Sequence, residues 1–144
     1  MKTEATRLRS LVDSFLDQAH RLDWNQPYAP GKWLRIEVLG HLVDSASNNH
    51  QRFARALLQP DLTFPDYKQQ EWVAVQHYAL ADVANVLDLW AAYNFHLAHI
   101  MDHIIPDEKL LTPCTIGNYP TATLAYLVKD YNDHLEQHLA QLTA

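Results

Sequence analysis

Four long stretches of this chain repeat their apolar residues at the helical interval, and that periodicity limits the fold more than any other property of the sequence. In residues 3–23, Leu8, Leu11, Val12, Phe15, Leu16, Ala19 and Leu22 follow the i, i+3, i+4, i+7 rule, with charged residues on the opposite face. Residues 33–58 repeat it with Leu34, Val38, Leu39, Leu42, Val43, Ala46, Phe53, Ala54 and Leu57, and Pro60 stops the run. A third stretch, 81–104, carries Val83, Val86, Leu87, Trp90, Ala91, Phe95, Leu97, Ala98 and Met101 and ends before Pro106. The fourth, 121–142, opens on Thr121 as its expected N-cap. Between the first two, residues 25–31 hold Pro27, Pro30 and Gly31, which turn the chain. Beyond Pro60 and Pro65 a short helix is expected over residues 67–76, anchored by Trp72 and Val73. Residues 107–120, with Pro113, Gly117 and Pro120, have no helical period and read as an extended crossover loop. No segment alternates as a half-buried strand does. The pattern predicts an all-α fold, a four-helix bundle, and 144 residues with 48% hydrophobic content fit one domain over residues 1–144 with a sizeable core.

Charge narrows the partners. The formal net charge is -6 and the basic residues are scattered, so no basic stripe exists to follow a phosphate backbone, and a nucleic acid is not expected. The first nine residues lack the apolar run of a signal peptide, and no stretch approaches the roughly 20 apolar residues of a membrane span. A cytoplasmic protein without a membrane partner is the expectation. The lone cysteine, Cys114, leaves no internal disulfide and no Cys-rich zinc site, so a metal would have to be held by nitrogen and oxygen.

Nine histidines supply the nitrogen. His134 and His138 stand four apart on the fourth predicted helix and project from one face, at a spacing that suits metal ligation. A catalytic metal needs a third protein ligand, and His41, on the core side of the second helix between Leu39 and Leu42, is the natural candidate. The competing reading is a histidine that is solvated or hydrogen-bonded in the core. Asp44 and Asn48, one and two turns beyond His41, suit orienting an imidazole or moving a proton, and equally a solvated helix face. Arg52 could meet an anionic substrate group or pair with an acidic residue, the simpler expectation. Tyr131, three positions before His134, would line the same pocket or belong to the core. A rival set, His96, His99 and His103, lies on one face of the third helix, where the outer two are about 10 Å apart along the axis, so packing or a solvated stripe is expected. His20, His50 and His77 are expected at the surface, and Cys114 has no neighbouring base to make it a nucleophile.

In order and spacing, Tyr28-Ala29-Pro30-Gly31-Lys32-Trp33, Gly40-His41-Leu42-Val43-Asp44-Ser45 with Asn48 and Arg52-Phe53, the stretch Asp66-Tyr67 to Trp72, and His134 to His138 resemble the DinB-like superfamily. The likeness is greatest to its branch of proposed metal-dependent hydrolases and thiol S-transferases. The resemblance implies an up-down-down-up four-helix bundle with a long crossover, often a homodimer, and a divalent metal, zinc or nickel, on His41, His134 and His138. Relatives of that branch include bacillithiol and mycothiol S-transferases and a thiol-dependent maleylpyruvate isomerase. The family often carries a further histidine where this chain has Gly40, Ala46, Asp133 or Leu135.

The expected function is therefore a divalent-metal enzyme in which three imidazoles leave coordination positions open to activate a water or a low-molecular-weight thiol cosubstrate against a small-molecule substrate. The resemblance makes thiol S-transfer in detoxification the leading version. The alternative is a non-catalytic bundle, metal-binding or metal-free, acting as a dimeric interaction module.

Overall fold

A computed structural model describes residues 1–144, with helices α1 (Lys2–Ala19), α2 (Arg35–Leu58), α3 (Gln69–Gln76), α4 (Val83–Asp102) and α5 (Leu124–Thr143) and short strands β1 (Leu62–Phe64), β2 (Pro113–Ile116) and β3 (Ala122–Thr123). The four long helices are those that the periodicity predicts. Each of α1 and α2 packs against both α4 and α5, so the helices form a ring in the order α1, α4, α2, α5. The expected four-helix bundle is the observed one. Its core holds Leu8, Val12 and Phe15 of α1, Leu39 and Phe53 of α2, Trp90, Leu97 and Met101 of α4, and Leu124, Val128 and Leu142 of α5, each almost wholly buried. Phe15 meets Trp90 edge-on at 5.4 Å between ring centroids, an arrangement that aromatic quadrupoles favour. No helix is long and apolar enough to cross a membrane.

Helix ends depart from the sequence reading for local reasons. The first helix stops at Ala19 because the chain turns to bury Trp24, whose indole N–H donates to the Ala19 carbonyl at 3.0 Å. Residues 24–35 then turn back, and α2 starts at Arg35, where the Leu34 N–H donates to Glu37 Oε1 at 3.0 Å and one of the orphan donors of the helix start is satisfied.

The larger departure is a small sheet in place of an unstructured crossover. The strands lie in the order β1-β2-β3, with β1 parallel to β2, pairing Leu62 with Cys114, and β2 antiparallel to β3. Pairing holds Ala122 and Thr123 extended, so the N-cap of α5 is Thr123 rather than Thr121, and its hydroxyl accepts from the Tyr126 N–H at 3.1 Å. A 3-10 turn at Asp107–Leu111 fills the rest of the predicted loop. The sheet closes the end of the bundle at which α2 finishes and α5 begins, which fixes the walls of the cavities described next.

Candidate functional site

Helices α2 and α5 face one another along one side of the ring, and the histidines singled out by spacing lie on those two helices. His41 is 4% exposed, with its ring between Trp33, 5.4 Å away, and His138, 4.9 Å away. Burial, reinforced by the neighbouring His138 and His134, lowers its pKa to about 4, so the ring is neutral at ordinary pH. Its Nδ1 is buried and has no hydrogen-bond partner. His138 is half-buried, and burial lowers its pKa too, against a hydrogen bond to Gln141 that works the other way. That bond, 3.0 Å from Nδ1 to Gln141 Oε1, puts the proton on Nδ1 and leaves the Nε2 lone pair free. His134 sits on the rim, its side chain 64% exposed and its Nε2 3.9 Å from Asp130. All three line one cavity of about 120 Å³, with Ser45, Gln69 and Tyr131.

No three His, Cys, Asp or Glu side chains stand close enough to enclose an ion as they are, because His134 is turned towards Asp130 while His41 and His138 face each other. The donor set nevertheless fits a divalent cation. His41 is held neutral, burial lowers the His138 pKa as well, one His41 nitrogen is buried without a partner, and the third imidazole borders the same space.

The other predicted site residues distribute differently. Asp44 binds no imidazole: its Oδ1 accepts from the Tyr78 hydroxyl at 2.7 Å and from Gln76 Nε2 at 2.8 Å. Burial raises its pKa, those two bonds opposing. Asp44 thus ties the end of α3 and the segment after it to α2, and Tyr78 packs so closely over Gly40 that a Cβ there would collide with its ring. A histidine at position 40 has no room. Asn48 is buried, donates to the Asp44 carbonyl at 2.9 Å, and lines a separate cleft against Phe64 and Trp72. One residue further on, Asn49 enters a larger cavity of about 340 Å³ that adjoins the histidine cavity through Ser45, Gln69, Tyr131 and His134. Tyr131 lines both, and its buried hydroxyl donates to Asn94 Oδ1.

Arg52 also lines the larger cavity, and the expected acidic partner is absent: the ion pairs of this structure join Arg7, Arg9, Lys68, Lys129 and His134 to their carboxylates. Burial pulls its pKa below the ordinary guanidinium value, opposed by Tyr67 and Asp66. Cys114 is buried on β2, burial raises its pKa and its thiol donates to the Thr112 carbonyl, all of which disfavour the thiolate. His20 and His77 are exposed, as expected. His50 is not: it is partly buried, with Nδ1 3.0 Å from the Tyr93 hydroxyl. Among the residues that the sequence reading did not place at the site are Trp33, Gln141, Asn49 and Gln69. Only Asn49 was within reach of sequence reasoning, since it continues the His41 and Ser45 face at i+4.

Fold and site together define a helical bundle with an imidazole-lined cavity between two of its long helices. The DinB superfamily model matches residues 4–142, and the chain belongs to that superfamily. Proteins named as proposed metal-dependent hydrolases in Bacillus cereus strain B4264 and Bacillus thuringiensis subsp. konkukian strain 97-27 are 36% identical to it over 62 residues. The match covers 42% of this chain and 36% of each relative, about a third of their length. YfiT from Bacillus subtilis, described as a proposed metal-dependent hydrolase with an unusual four-helix-bundle topology, superimposes with a TM-score of 0.87. That likeness covers 98% of this chain and 82% of YfiT at 21% identity, and it shows the shared fold.

Proposed function

We propose that this protein is a divalent-metal-dependent enzyme acting on a small molecule, with the metal, zinc or nickel, held by His41, His134 and His138. The observation that carries the reading is the pairing of a buried and a half-buried imidazole from different helices, both with lowered pKa, on a cavity whose rim bears the third. The relatives named as metal-dependent hydrolases support it. A divalent cation there supplies Lewis acidity, lowering the pKa of a water or thiol so that it loses its proton near neutral pH.

The chain's own residues do the rest. Trp33 and the surrounding core keep His41 desolvated and neutral, and Gln141 fixes the tautomer of His138 so that Nε2 is the donor. To hold the metal with them, His134 would have to swing from Asp130 towards the other two imidazoles. Asp44 holds Gln76 and Tyr78 through Oδ1 and so positions α2, while its Oδ2 is buried without a partner. Hydrolysis uses water as the nucleophile, and thiol S-transfer uses a low-molecular-weight thiol cosubstrate in the same cavity. A homodimer with one such site per chain belongs to the same proposal.

Calorimetric titration of the untagged protein with zinc and nickel tests the reading, followed by screening ester hydrolysis and thiol conjugation. About one metal per chain, lost in His138→Ala, with turnover that disappears on chelation, is the expected result. Absence of metal uptake would contradict it, and stoichiometric metal without turnover of any ester or thiol acceptor would leave a structural metal instead.

A further inference from the structure

We infer that the larger cavity is a carboxylate-recognition subsite, in which Arg52 binds the carboxylate of a small molecule whose reacting group lies at the histidines. The inference deepens the proposed function and rests on it only for the position of the reacting group.

Arg52 is 9% exposed, its Nε is buried without a hydrogen-bond partner, and it forms none of the ion pairs of the structure. A buried donor left unsatisfied costs about 1–3 kcal/mol, and more for a charged group, so a guanidinium kept in this condition has a reason to be there. Its plane is steadied rather than neutralised: the Phe64 ring centroid lies 5.6 Å from Cζ. The cavity that receives it is of small-molecule size, about 340 Å³, with Ile116, Leu127 and Tyr126 on its walls to cover an apolar body.

Geometry sets the shape of the occupant. His41, Ser45, Asn49 and Arg52 follow one another along one side of α2, and at 1.5 Å per residue His41 and Arg52 are about 16 Å apart along the axis. The two cavities share a wall at Ser45, Tyr131 and His134, so a single extended molecule can reach both ends. Charge sets the kind of anion. Asp66 and Asp130 also border the cavity, the first accepting the Tyr67 N–H at 2.9 Å and the second lying 3.9 Å from His134. One cation against two rim carboxylates tolerates a monoanion better than a doubly charged phosphate, and the planar fork of a guanidinium matches a planar carboxylate.

The test compares 3-phenylpropionate with its amide, 3-phenylpropionamide, by NMR titration into metal-free and zinc-treated protein, using wild type, Arg52→Met, Arg52→Lys and His41→Ala/His138→Ala. The acid should bind about tenfold or more tightly than the amide to wild type in both preparations. Arg52→Met should bring the acid down to the level of the amide while leaving amide binding and the melting temperature in place, and Arg52→Lys should restore part of the preference. Equal binding of acid and amide, no binding of either at millimolar concentration, or an unchanged preference in Arg52→Met would overturn the inference. So would a preference lost in His41→Ala/His138→Ala and kept in Arg52→Met, because the carboxylate would then be a ligand of the metal. If the protein takes up no zinc, the metal reading fails, while the preference measured in metal-free protein still decides the role of Arg52.

Discussion

Two sets of three histidines share this bundle, and only one is built like a site. On α4, the His96 and His99 rings are 6.2 Å apart and the His99 and His103 rings 4.3 Å apart, closer than the 4.9 Å between His41 and His138. Ring proximity therefore does not separate them. The α4 rings are exposed and come from a single helix, and His103 is occupied with the His99 carbonyl at 2.8 Å. His41 and His138 come from two helices, are desolvated, and keep a nitrogen free on each: the unpartnered Nδ1 of His41 and Nε2 of His138. Spacing along one helix brings side chains near each other, but only two elements closing on each other remove water from a lone pair and point it at a shared space.

The greatest expected effect sharpens that contrast directly. Removing two ligands in His41→Ala/His138→Ala should weaken zinc affinity by at least about 100-fold, and His96→Ala/His99→Ala should leave it unchanged, both read by competition against a chelator dye. Equal losses in the two variants would break the comparison. Gln141→Ala removes the acceptor that fixes the His138 tautomer and should cost about 10–100-fold in zinc affinity, with no change in metal stoichiometry. Gly40→Ala tests the wall rather than the ligands. Its methyl group meets the Tyr78 ring, which Asp44 and Gln76 hold in place, so urea unfolding should show a loss of about 1–3 kcal/mol. A neutral Gly40→Ala would mean that Tyr78 is not held there.

The smallest effect lies on the α4 side. Arg9 and Asp102 form an ion pair at 2.6 Å between α1 and α4, and the Arg9 hydrogen bond holds the Asp102 carboxyl below the usual carboxylate range. A depressed folded pKa contributes stability that is present above the unfolded value and is lost as pH falls through the folded one. Asp102→Asn should therefore lower the melting temperature slightly near neutral pH, and the difference should vanish in strong acid. A difference that persists there would assign the effect to packing.

The bundle and the three imidazoles that line one cavity were legible in the sequence, because helical periodicity, i+4 spacing and the core-side place of His41 on its helix are local signals. What escaped was non-local. Strand β2 pairs with β1 some fifty residues earlier, and strands of three and four residues are too short to show alternation. The partners of Asp44 lie at the end of α3 and just after it, which no spacing along α2 reveals, so a carboxylate expected to serve an imidazole accepts from Gln76 and Tyr78. The sequence reading names Asn48 and not Asn49: i+7 and i+8 are both near two full turns of a helix, and 3.6 residues per turn decides between them only once the facing element is known. The turn of His134 away from the other two had a local signal that the spacing argument does not weigh, Asp130 at i-4 on the same helix.

Anomalous diffraction at the zinc edge, from crystals of untagged protein grown with zinc, tests the central claim most directly. The account predicts one dominant anomalous peak between His41, His134 and His138, with His134 turned away from Asp130 to reach it. A peak on the α4 stripe of His96, His99 and His103, or none between α2 and α5, would contradict it.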